Sequence, residues 1–95
     1  MSTLWRERGD TYVSDEGWSV RVLGRTGLEY RRAERVMRID SELLAHPHGA
    51  AVYTRSIRWW QPPHDDVPVT DAERAEIVEH IRRAFAFDGF EIEVY

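Results

Sequence analysis

Residues 70–87, TDAERAEIVEHIRRAFAF, form the one long stretch of this chain with a helical period. Thr70 and Glu73 have the spacing of a capping box, in which hydroxyl and carboxylate each satisfy a free N–H of the first turn. Asp71 and Glu73 place negative charge at the positive end of the macrodipole. Asp88-Gly89 follows, and glycine most cheaply adopts the left-handed stop. Ile77, Val78, Ile81, Ala84 and Phe85 fall on one face. A helix of about 25 Å at 1.5 Å per residue needs something of its own length to cover that face. What precedes it reads as strand and turn, so the partner is a sheet.

The chain has 95 residues, which makes one domain. It holds no cysteine, so disulfides, thiolate metal sites and thiol nucleophiles are excluded. The start, MSTLWRERGD, has no apolar core of a signal peptide. No apolar run approaches the roughly 18 residues of a membrane span. A cytoplasmic protein without a membrane partner is the expectation. All 13 basic side chains are Arg. Residues 48–95 hold five Arg and nine acids and carry the whole net charge of −4. That balance argues against nucleic acid, where a basic stripe is expected. It suits a basic protein partner, or simply solubility.

Along the chain, Leu4-Trp5 and Thr11 to Val13 are short and ambiguous. WSVRVL (18–23) alternates as a strand, and so does the hairpin of residues 28–31 and 35–40, with Met37 and Ile39 facing the core. Residues 41–44 extend that strand or form a helical turn. AAVYTRSIRWW (50–60) is the longest strand expected, with Tyr53, Ile57 and Trp59 under the helix. QPPHDDVPV (61–69) is a loop whose two adjacent prolines make its first half stiff and extended. FEIEVY closes the chain as a strand with Phe90, Ile92 and Val94 inward. Together these predict an α+β, two-layer fold. A mainly antiparallel sheet of about five to six strands is covered by one long helix, 70–87, and completed by a C-terminal strand.

Chemistry is sparse. His46 and His48 have His-x-His spacing but no third ligand, so no metal or other cofactor is expected. His64-Asp65-Asp66 would suit a base with its orienter, yet no nucleophile motif accompanies it, and no catalytic residue or enzymatic activity is expected. The Arg-rich hairpin of 18–38 is interspersed with acids, so cross-strand pairing accounts for it. Glu79 and Arg83 stand at i, i+4 as a surface pair. Trp59-Trp60 is the most unusual dipeptide. On a strand the two would face opposite ways. If Trp59 is core, Trp60 is either an outward anchor for a partner or a cover folded onto Pro62-Pro63.

The order GLEYRR…RVMRIDSELL, SIRWWQPPH, a TDAER helix and an FEIEV strand resembles the immunity protein 74 family of bacterial polymorphic-toxin systems, over about residues 18–95. Tyr30, Met37, Ile39, Glu42, Ile57, Trp59, Pro62, Pro63 and the cap at Thr70 carry the resemblance. It implies neutralisation of a cognate toxin domain by direct binding. An inhibitor of a basic groove would use Trp60, His64, Asp65, Asp66 and the helix acids Glu73, Glu76 and Glu79. Two other classes stay open. One is a ligand-binding or enzymatic module with a pocket lined by Trp18, Tyr53 and Trp59. The other is a homodimer paired through the edge of residues 90–95.

Overall fold

A computed structural model describes residues 3–45 and 48–95. The elements are β1 (Leu4–Glu7), β2 (Thr11–Ser14), β3 (Trp18–Val22), β4 (Thr26–Arg32), β5 (Arg35–Leu43), β6 (His48–Val52), a single 3₁₀ turn (Thr54–Ser56), α1 (Asp71–Phe87) and β7 (Glu91–Val94). Among the described residues, seven strands form one sheet in chain order. Neighbours are antiparallel from β1 to β6. β7 returns parallel to β6 after the helix, because a crossover through a helix reverses the chain twice. The class is the α+β expected. The sheet gains strands over the five to six expected because β1 and β2 pair with each other and with β3.

The helix caps itself as its residues dictate. The Thr70 hydroxyl accepts from the Glu73 N–H at 3.1 Å, and the Glu73 carboxylate reaches back to the Thr70 N–H. Ile77, Ile81, Ala84 and Phe85 are buried. The sheet curls around this face. Phe85 lies 6.1 Å from the Tyr12 ring of β2, centroid to centroid. Its edge also stands 3.0 Å from where a Cβ at Gly49 of β6 would be. Two strands that far apart in the sheet meet on one ring only if the sheet bends around the helix.

The strand expected over 50–60 ends at Val52. Ser56 is the physical reason. Its hydroxyl donates to the Tyr53 carbonyl at 2.6 Å and accepts from the Asp40 N–H of β5 at 2.8 Å. A side chain thus takes the place of a strand residue on the edge of β5, a local competition typical of serine. The Thr54 N–H turns to the Tyr95 carbonyl, 2.8 Å away. Burial then follows a turn's spacing rather than a strand's. Ile57 and Trp60, three apart, are in the core, and Trp60 is 1% exposed. Trp59 is 65% exposed and Tyr53 is also outward, so of the three residues expected under the helix only Ile57 is buried.

Three smaller expectations change. Residues 41–43 continue β5. The proline loop is not extended: the Pro62–Pro63 peptide is cis and the His64 N–H donates to the Gln61 carbonyl at 3.0 Å, closing a turn. Val94 is 40% exposed, so of β7 only Ile92 is buried. β7 is the last strand of the sheet, and its core-facing stretch is the part next to the helix C-terminus, where the Phe90 N–H donates to the Phe85 carbonyl.

Candidate partner-binding surface

A buried polar pair lies where the helix meets β3 and β4. The Tyr30 hydroxyl and His80 Nδ1 are 2.7 Å apart. Trp18 stacks on the His80 ring, 4.3 Å between centroids and 7° from parallel. Burial pushes the His80 pKa down, and Arg32 and Arg83 push the same way, while Glu76 and Glu16 oppose them. In the Nε2–H tautomer of the neutral imidazole, Nδ1 accepts the hydrogen bond of the Tyr30 hydroxyl. Burial also raises the Tyr30 phenol to about 12. That bond satisfies the Tyr30 hydroxyl and His80 Nδ1; His80 Nε2 lies 3.9 Å from Glu76, and the Arg83 guanidinium stands 5.4 Å from the Trp18 ring. The arrangement fixes the helix on the sheet, since buried polar groups that pair are specific about position. His80 was not singled out by the sequence reading, although it lies three residues after Ile77 and four before Ala84 on the buried stripe.

A second tie holds the other end of the helix. Asp88, just past the last turn, accepts from the Tyr12 hydroxyl and from Arg6, each at 2.6 Å. A carboxylate at a helix C-terminus meets the unfavourable end of the dipole. The Tyr12 hydrogen bond, with Arg6 behind it, nevertheless holds the Asp88 pKa below the usual carboxylate value.

The residues expected to contact a partner divide into three groups. Trp60 is in the core, beneath the Arg35 guanidinium and against Tyr30. It is not an exposed anchor. Trp59 is the exposed tryptophan, with Arg58 over its ring at 5.9 Å. The three helix acids are engaged locally. Glu73 closes the capping box, Glu76 accepts from Arg32 of β4, and Glu79 pairs with Arg82 at 3.4 Å. Arg83, expected to pair with Glu79, instead reaches Glu16 in the β2–β3 turn at 3.1 Å.

Asp65 and Asp66 are exposed and have no ion-pair or hydrogen-bond partner among the described residues. His64 is half-buried between them and the prolines. The loop that carries them is pinned on both sides. Trp60 is buried, the Gln61 N–H donates to the Val36 carbonyl at 2.7 Å, and Val67 and Val69 pack on the core. The cap at Thr70 then fixes its far end.

The pocket expected from Trp18, Tyr53 and Trp59 does not form. Trp18 is buried against His80, whereas Tyr53 stacks on Tyr95 at the surface. An apolar concavity of about 480 Å³ opens instead between β2–β3 and β5–β6, where Tyr12, Val22, Leu43, Leu44, Phe85 and Phe90 line it with Asp10 and His48. His48 starts β6 and is exposed; His46 lies outside the described residues. Among the described residues, no group of three His, Asp or Glu is placed to hold a metal ion, and no helix is long and apolar enough to cross a membrane.

No curated protein and no solved structure matched the chain. One family model did, over residues 20–95, which takes in β4 to β7 and the helix and leaves β1 and β2 outside. That span carries the capped helix, the Tyr30–His80 pair and the pinned acidic loop, and by it the chain belongs to the family described as Immunity protein 74.

Proposed function

We propose that the protein neutralises a cognate toxin domain by binding it directly, without catalysis, and that the loop ending in Asp65-Asp66 forms part of the contact. Membership of an immunity-protein family is the observation that carries the reading. The two unpaired carboxylates support the choice of surface. They sit on a loop already anchored in the core, so binding costs little ordering, and preorganised charge raises association rate and specificity. Trp59 takes the anchor role expected of Trp60. Glu73, Glu76, Glu79 and half-buried His64 flank this surface with lesser roles, because three of the four are already engaged within the chain. Such a protein acts in the compartment where the toxin is made, the cytoplasm.

Co-expression with the toxin domain encoded beside its gene tests this. The wild-type chain restores growth and co-purifies with the toxin. The double variant Asp65→Asn, Asp66→Asn associates more slowly, and its rate depends less on salt. A toxin that kills equally well with and without the protein would sink the proposal.

A second reading, an apolar small-molecule site, is favoured only by the concavity at Tyr12, Phe85 and Phe90. Its size lies in the range of ligand pockets. Saturable quenching of an apolar dye, abolished by Leu44→Arg at the rim, would support that reading over the first.

A further inference from the structure

Seven of the thirteen arginines are paired with acids among the described residues. Arg6, Arg21, Arg31, Arg32, Arg74, Arg82 and Arg83 all have a carboxylate within ion-pair distance. Of the others, two share a single hollow with one of these seven. A depression of about 280 Å³ between the 3₁₀ turn and the first turn of α1 is lined by Thr54, Arg55, Arg58 and Arg74. Residues 48–95 contain five Arg, and three of them line this one hollow although the segment is acidic as a whole. Arg55 and Arg58 have no carboxylate partner among the described residues. Arg74 is held in place: its Nε donates to the Ile57 carbonyl at 3.1 Å and its Nη1 to Asp71 at 2.6 Å. Asp71 is the single acid in contact, fully exposed, so three guanidiniums face one screened carboxylate. Trp59 stands beside them, 65% exposed under Arg58.

Tryptophan and arginine are the residues that dominate interface energies, and a guanidinium fork matches a carboxylate in two parallel hydrogen bonds. The hollow is too small for a drug-sized ligand and large enough for one acidic side chain. We propose that this hollow receives an aspartate or glutamate of the protein partner while Trp59 packs against the apolar surface around it. The identity of the occupant as a protein rests on the direct-binding reading above. The binding face would then carry both signs, with Asp65-Asp66 taking a basic patch of the partner and Arg55-Arg58 an acidic one. A face of two signs rejects partners that a purely acidic face would accept, since like charges brought together are strongly unfavourable.

Titration of the isotope-labelled protein with the peptide acetyl-Asp-Glu-Asp-Glu-amide, followed through arginine Nε–H and tryptophan indole signals, tests the hollow directly. Saturable shifts are expected at Arg55, Arg58 and Trp59. Arg55→Ala and Arg58→Ala should each weaken peptide binding at least about fivefold, equivalent to about 1 kcal/mol, while Arg25→Ala in the β3–β4 turn leaves it unchanged. Because these side chains are exposed, the thermal transition should stay where it is. Non-saturating shifts spread over all arginines, or equal losses in all three variants, would overturn the proposal. So would saturable binding of a single-stranded RNA oligomer in place of the peptide. The titration uses no toxin. Its failure overturns the arginine subsite alone, and a toxin that fails to bind overturns the immunity reading alone.

Discussion

Tyr30→Phe removes a single oxygen from the interior and isolates the polar pair that seats the helix. Tyr30 is 0% exposed and His80 9% exposed, so no water replaces the lost hydroxyl without opening the core. His80 Nδ1 is then left as a buried acceptor without its 2.7 Å donor. A neutral buried group left unpaired costs about 1–3 kcal/mol. For a domain of this length each kcal/mol lowers the melting temperature by about 4–8 °C. The assay is urea and thermal unfolding followed by circular dichroism, run as a double-mutant cycle with His80→Phe. In the His80→Phe background the acceptor is gone, so Tyr30→Phe should cost less than half as much. The pH dependence gives an independent sign. His80 is depressed in the folded chain, so the unfolded chain takes up the proton first as pH falls below about 6.5. Stability contributed by neutral His80 is complete above that pH and declines below it. His80→Phe should flatten that decline. Equal cost of Tyr30→Phe in both backgrounds, with an unchanged acid limb, would refute the pairing argument.

Other perturbations read other joints. Gly49→Ala places a Cβ 2.7 Å from the Glu91 carbonyl and 2.8 Å from Phe90 Cβ, where the β6–β7 register shifts. Overpacking of this kind costs about 1–3 kcal/mol, measurable as a lower urea midpoint with an unchanged slope. Asp88→Asn should lose the acid-sensitive part of stability that depends on a carboxylate held below its usual pKa. In the wild type that part is present above the normal carboxylate range and fades as pH falls through the lowered value, so the variant's profile should be flatter at low pH. Tyr12 and Tyr30 are both raised to about 12. The unfolded chain therefore ionises first, and stability should fall as pH rises above about 10, with the Tyr12 and Tyr30 phenols titrating late in ultraviolet absorbance.

The helix was legible residue by residue, because its caps and stripe are local and their chemistry has few alternatives. The hairpin of β4 and β5 was legible for the same reason, with Met37 and Ile39 alternating against charged neighbours. Residues 53–60 were not. Their alternation fits a strand, and what stops the strand is the Ser56 hydroxyl bonding to Asp40 and Tyr53 and the Thr54 N–H turning to Tyr95, none of which is local pattern. Ending the strand at Val52 places Trp60 in the core and leaves Trp59 outward. β1 is short, and most of its side chains face solvent, so its sequence lacks the signal that pairing with β2 supplies. His80 is readable from its place on the buried stripe, between Ile77 and Ala84. The acidic loop was recognised as surface. That it is pinned by Trp60 and Gln61, and that Asp65 and Asp66 are the unpaired carboxylates of the expected set, required the fold.

The proposed contact with a toxin domain runs through the pinned loop and the exposed Trp59 beside it. The most direct test is the association and dissociation of the purified protein with the toxin domain encoded by the neighbouring gene, compared with Trp59→Ala and with Asp65→Asn, Asp66→Asn. The prediction is a stoichiometric complex. Trp59→Ala should weaken it by about 2 kcal/mol, mainly through faster dissociation. The Asn pair should slow association, most visibly at low salt. A complex indifferent to both variants would contradict the surface, and absence of any complex would contradict the proposal itself.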